Sequence, residues 1–209
     1  MRRSRYGDAG QAFPIYITVV AGLLFLAFAY LAVGQAAANR NGAQTAADAA
    51  ALAAALDTRD QLAGKWMEDV LDPEEWQDIF DGDVGGLDLS CWRADELAAQ
   101  NDAHVEGCDP GILRYEVKVE TDKPVGDSIV PGTEDEKSQA TATAVIEFRC
   151  EFDLPGEEAG DGEEAGDGEG DDVLPLPQLT CGDRTWDPDP DDPTTLPGPE
   201  DLFDVHLAD

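Results

Sequence analysis

The chain opens on an uninterrupted apolar run and then changes pattern three times. From Ala12 to Gly34 the sequence AFPIYITVVAGLLFLAFAYLAVG contains no charged residue. A helix over this stretch measures roughly 35 Å at about 1.5 Å per residue, enough to cross a hydrocarbon core of about 30 Å. Pro14 falls in the first turn, where its missing N–H costs little. Tyr16 and Tyr30 stand near the two ends, at interfacial depth. A cleaved signal peptide is the competing reading, but its apolar core would be only about 7–15 residues. Arg2, Arg3 and Arg5 precede the run and only Arg40 follows closely. The positive-inside bias therefore predicts a cytoplasmic N-terminus and an extracytoplasmic remainder.

From Gln35 to Leu71 alanine dominates and no proline intervenes before Pro73, so the helix is expected to continue. Ala49, Leu56, Ala63 and Val70 recur every seven residues and define a narrow, small-residue packing stripe. Two readings fit it: a helix lying on its own sheet, or a seam for other helices. Gly42 and Gly64 mark weak points, and Asp72-Pro73 is the expected stop. Pro73 to Phe80 places Trp76, Ile79 and Phe80 on one side of a short helix. Ser90 is positioned to cap a helix over Trp92–Ala103.

Period-two alternation then takes over. Tyr115, Val117 and Val119 oppose Glu116, Lys118 and Glu120 within a strand over Ile112–Thr121. Ala142, Ala144, Ile146, Phe148, Cys150 and Phe152 share one face of a strand over Gln139–Phe152. Half-buried strands need a cover, and the preceding helices supply it. The expected fold class is α+β. A long N-terminal transmembrane helix extends into a small extracytoplasmic α+β domain with an antiparallel sheet, followed by a disordered acidic tail. The expected segments are a basic leader (1–11), a transmembrane helix (12–34), an Ala-rich helix (35–72), the α+β domain (73–154) and the tail (155–209). In the tail EEAGDG occurs twice, a Gly- and acid-rich stretch that cannot bury enough apolar surface to fold; from Val173 proline accumulates, and the chain is expected to be extended and mobile apart from the neighbourhood of Cys181 and Trp186.

Charge and cysteine content narrow the function. The formal net charge is −33, which repels nucleic-acid phosphates and excludes nucleic acid as a partner. Four cysteines, Cys91, Cys108, Cys150 and Cys181, all follow the apolar run, as expected for disulfides in an oxidising compartment. Three pairings are possible. Cys91–Cys108 with Cys150–Cys181 is preferred, because the first pair flanks a predicted helix and the second ties the tail to the last strand; Cys108–Cys150 is the main rival. None of H-E-x-x-H, G-x-S-x-G and the phosphate-loop pattern occurs, so no catalytic, cofactor-binding or metal-ligating set is assigned. His104 and His206 read as surface residues. Asp187, Asp189, Asp191 and Asp192 do not follow the calcium-loop spacing.

Gly7-Asp8-Ala9-Gly10-Gln11-Ala12, the apolar helix behind it and above all QTAADAAALAAA (Gln44 to Ala55) resemble the TadE/TadG-like proteins of Flp, or tight-adherence, pilus systems. QNDAHVEGC, Gln100 to Cys108, is loosely similar to their helix-to-cysteine segment. The resemblance implies a membrane-anchored, non-enzymatic assembly component whose partners are membrane lipid and other pilus or secretion-system membrane proteins, met through the N-terminal helix. One departure matters. A processed prepilin carries glutamate five residues after its cleavage glycine, whereas Ile15 stands there after Gly10, preceded by Pro14. The non-processed TadG-like role therefore fits better. The alternative is an acidic cell-surface module that binds cations or basic cell-wall components through residues 155–209.

Overall fold

The computed structural model describes residues 12–124, 135–154, 176–189 and 192–208. The basic leader, the EEAGDG repeats and part of the connection after Pro124 lie outside the described residues. The first element, α1, is a single helix over Ala12–Glu68 that runs through Gly42 and Gly64 without interruption. At about 1.5 Å per residue its 57 residues extend roughly 85 Å. It ends three residues earlier than the sequence suggested. Asp69 to Leu71 form a turn, and Pro73 instead opens α2 (Pro73–Phe80), where its missing N–H is harmless. The third helix, α3, covers Cys91–Gln100.

Three zones divide α1. The part from Phe13 to Val33 is solvent-facing almost throughout, with Phe25 at 72% and Tyr30 at 84% exposure, and is long and apolar enough to cross a membrane. A polar stretch around Asn39-Arg40-Asn41 follows. From Ala43 onward one face is fully enclosed: Ala43, Ala46, Ala47, Ala50, Ala51, Ala54 and Ala55 are all buried, continuing into Leu62 and Trp66.

That face lies on an antiparallel sheet ordered β1-β2-β3-β7. Its first three strands are β1 (Ala103–Gly111), β2 (Arg114–Thr121) and β3 (Gln139–Phe148). Tyr115, Val117 and Val119 of β2 and Ala142, Ala144 and Ile146 of β3 point into the interface. Both alternating strands thus lie where their pattern placed them. The strand β1 was not anticipated, and the helix before it stops at Gln100 rather than Ala103. Asp102, with φ 54°, turns the chain from α3 into β1. The last predicted strand also stops early. After Phe148 the chain leaves the sheet, and Cys150-Glu151 become β4 in a second, small sheet with β5 (Leu179–Cys181) and β6 (Arg184–Trp186).

The largest correction concerns the tail. Order around Cys181 and Trp186 was expected and is present in β5 and β6, but residues 192–208 are folded as well, so the domain does not end at Leu154. A 3-10 turn at Pro193–Thr195 and a short helix, α4 (Pro199–Leu202), lead into β7 (Phe203–Leu207). β7 pairs with β3 through the whole run from Ala144↔Leu207 to Phe148↔Phe203. Composition predicted disorder here because proline and aspartate are abundant. Proline, however, sits between the short strands and at the first position of α4, where it does no harm.

An aromatic cluster closes the end of the domain far from the apolar segment. Phe80 stacks on Phe148 with ring centroids 3.7 Å apart, and Phe203 meets Phe80 edge-on at 5.9 Å. Trp66 and Trp76 pack at 5.4 Å, and Trp76 touches Phe152 at 5.5 Å. One residue from the last strand therefore completes a core begun by the first helix. Phe203→Ala is expected to cost about 3–5 kcal/mol, the usual range for truncating a buried aromatic. Denaturant unfolding of the detergent-solubilised chain measures this; an unchanged midpoint would show that β7 lies outside the cooperative core.

Candidate functional site

The outer surface of α1 is set by the residues its inner face leaves behind. The seven-residue stripe does not stay on one side. Ala63 and Val70 are buried, Ala49 is half-buried, and Leu56 is 37% exposed. An α-helix drifts by about 20° per heptad relative to a strict seven-residue repeat. Between Leu56 and Ala63 the stripe passes from the solvent side into the core, and Val70 lies beyond α1 in the turn that follows it. The true inner face follows steps of three and four: Ala43, Ala47, Ala50, Ala54, Thr58, Leu62 and Trp66. Ala49, Leu52 and Leu56 instead line an open hollow of about 360 Å³ between α1 and α3, rimmed by Asp57, Arg59 and Arg93.

Next to this hollow a buried polar network ties α1 to the domain. Thr58 Oγ1 lies 2.8 Å from both Ser90 Oγ and Tyr115 Oη. Ser90 Oγ donates to Asp57 Oδ2 at 2.9 Å, and the Ser90 amide donates to Tyr115 Oη at 3.3 Å. Proton directions follow from the ends of the chain. An ionised carboxylate only accepts, so Ser90 donates to Asp57, Thr58 donates to Ser90 and Tyr115 donates to Thr58. Gln61 closes the set, accepting from the Asp88 amide at 2.7 Å and donating to Asp57 at 3.0 Å. Ser90 sits at the N-cap position of α3 but makes no capping bond, because its hydroxyl is committed to α1.

The disulfides brace the same framework. Cys91 bonds Cys108, joining the start of α3 to β1, and Cys150 bonds Cys181 across β4 and β5. The rival Cys108–Cys150 pairing does not occur. The second bond holds the returning C-terminal segment beside the end of β3.

A cluster on the solvent face of the sheet escaped the sequence analysis. His104 of β1 stands opposite Glu120 of β2. Its Nδ1 lies 2.9 Å from Asp122, while its Nε2 lies 3.2 Å from Glu106 and 3.8 Å from Glu120. The Asp122 hydrogen bond, helped by Glu106, holds the imidazole pKa above its ordinary value. Glu120 is held below the usual carboxylate range by hydrogen bonds from Gln139 and then Lys137. The available signal was H-x-E facing E-x-D, alternate residues on two neighbouring strands. It went unread because β1 itself was not recognised.

Replacing Tyr115 with Phe tests the network. It leaves the Ser90 amide and the Thr58 hydroxyl without their shared partner, at a cost of about 1–3 kcal/mol. Thermal unfolding gives the stability, and hydrogen exchange at the Ser90 amide should accelerate; wild-type values for both would remove the network from the account.

No curated protein and no solved structure gives a significant match to the chain. The family whose pattern does match is that of putative Flp pilus-assembly TadE/G-like proteins, over residues 10–57. This span takes in the apolar zone of α1, the polar stretch after it and the alanine face as far as Asp57. Over residues 10–57, roughly the N-terminal quarter of the chain, the sequence is similar to that family.

Proposed function

We propose that this chain is a non-processed, single-pass membrane component of a Flp-type pilus or secretion assembly, with a structural or accessory role rather than a catalytic one. The observation that carries this reading is the continuity of α1. The same unbroken helix holds an uncharged stretch of lipid-spanning length and the alanine face around which the domain folds. The family match covers that junction and reaches Asp57. A domain built this way cannot tilt freely on its membrane segment, because the two share one backbone.

Orientation follows from the arginines. Arg2, Arg3 and Arg5 on the N-terminal side favour a cytoplasmic start and an extracytoplasmic domain. The two disulfides agree with an oxidising compartment. Ile15 and Pro14, in place of the glutamate context of a processed prepilin, favour retention of the N-terminus. A structural role is supported by the polar groups of the domain interior: Asp57, Thr58, Gln61, Ser90 and Tyr115 satisfy one another and hold α1 in place.

The surface offered to partner helices is the apolar outer row Ala49, Leu52 and Leu56, which continues the line of the lipid-facing segment. Because Leu56 is 37% exposed, Leu56→Glu should cost about 1–2 kcal/mol and leave the domain folded, which thermal unfolding checks. In a host that assembles the pilus, the same substitution should abolish co-purification of the other pilus-system membrane proteins. Normal pili in a strain lacking this chain would refute the assignment.

A further inference from the structure

We infer that His104, Glu106 and Glu120 form a binding site for a divalent transition metal of the zinc class on the outer face of the sheet. The ligand atoms are already gathered. One nitrogen and two carboxylate oxygens lie within 4.8 Å of one another. Zinc bonds of about 2.0–2.1 Å in a tetrahedron separate neighbouring ligand atoms by roughly 3.3–3.4 Å. The Nε2 to Oε1 distances, 3.2 Å to Glu106 and 3.8 Å to Glu120, bracket that spacing. Only a small inward shift of the half-buried Glu120 separates this arrangement from coordination.

The surroundings orient each ligand. Asp122 engages His104 Nδ1 at 2.9 Å, which fixes the ring and leaves Nε2 facing the two glutamates, where a metal ion would replace its proton. A carboxylate on the far nitrogen is the usual partner of a metal-bound histidine and raises its basicity. Gln139 donates to Glu120 Oε2 at 2.9 Å, so Oε1 is the oxygen left for an ion. Lys137 Nζ sits 3.1 Å from that same Oε1. The position is therefore one where positive charge is already favoured, and the ammonium, on a flexible stem, is the group a dication would displace.

Backbone geometry contributes as well. The β1–β2 register shifts between Val105 and Gly107, leaving Glu106 as the extra residue of a bulge on an edge strand. Bulges of this kind re-aim a side chain, here toward His104. The donor chemistry selects the metal. Calcium and magnesium take all-oxygen shells, whereas mixed imidazole and carboxylate donors suit zinc and its first-row neighbours. A net charge of −33 raises the local cation concentration without supplying selectivity.

The experiment is calorimetric titration of the oxidised full-length chain in detergent with Zn²⁺ alone, in physiological salt and excess Mg²⁺ to mask diffuse binding to acidic residues. A single saturable event per chain is expected. His104→Ala should abolish it, and Glu106→Gln should weaken it strongly. Asp122→Asn, which alters the orientation and basicity of the ring without removing a ligand, should weaken it about tenfold. Lys137→Met, which removes the competing cation, should strengthen it. All four positions are solvent-facing, and unchanged unfolding midpoints in chelator-treated buffer confirm that each variant folds. Zinc heat that survives His104→Ala, or that is absent from the wild-type chain, overturns the site.

Discussion

The structure depends on how closely the backbone of α1 can approach the sheet, and alanine decides that distance. Ala43, Ala46, Ala47, Ala50, Ala51, Ala54 and Ala55 present methyl groups where an ordinary amphipathic helix presents leucine. Across from them stand Val117, Val119, Ala142 and Ala144, also small. Each alanine buries little area, so the gain comes from many short contacts and from backbone ordered at no side-chain entropy cost. The same residue type gives this stretch the highest helix propensity, so an apolar segment long enough to cross a membrane can run on into a folded domain without a break. Larger side chains appear only at the far end, where α2 and the strand ends leave room for Trp66, Trp76, Phe80, Phe148 and Phe203.

A helix held only by methyl contacts could slide or rotate against a sheet. Three devices prevent this. The Tyr115–Thr58–Ser90–Asp57 network fixes rotation, since its hydrogen bonds form in one register alone. Cys91–Cys108 pins α3, which flanks α1, to β1. The C-terminal strand β7 then covers the β3 edge and delivers Phe203 to the aromatic cluster, while Cys150–Cys181 holds its approach. The result is a domain clamped around the second half of its own long helix, with Ala49, Leu52 and Leu56 lining an open hollow beside it.

Much of this was legible in the residues, and the failures have physical causes. Strands β2 and β3 were evident because one face is solvated and the other dry, so alternation is clean. The helix α2 was evident from Trp76, Ile79 and Phe80 on one side. The heptad stripe misled because a seven-residue step drifts around an α-helix, so the stripe reaches the core at Ala63 and leaves α1 before Val70. Strand β1 hid behind its bulge at Glu106 and behind Gly107 and Pro110, and with it went the His104 cluster, which no single strand displays. Strand β7 hid because composition was averaged over the whole tail. Phe203, Val205 and Leu207 do alternate, but acidic and proline-rich neighbours dilute the signal.

The close alanine approach is tested most directly by two neighbouring substitutions, Ala50→Leu and Ala49→Leu. Both keep helix propensity nearly constant. Ala50 faces the sheet and Ala49 borders the open hollow. Chemical unfolding of both variants should show Ala50→Leu destabilised by about 1–3 kcal/mol through overpacking, and Ala49→Leu close to wild type. Equal tolerance at the two positions would contradict a helix seated on the sheet through its methyl face.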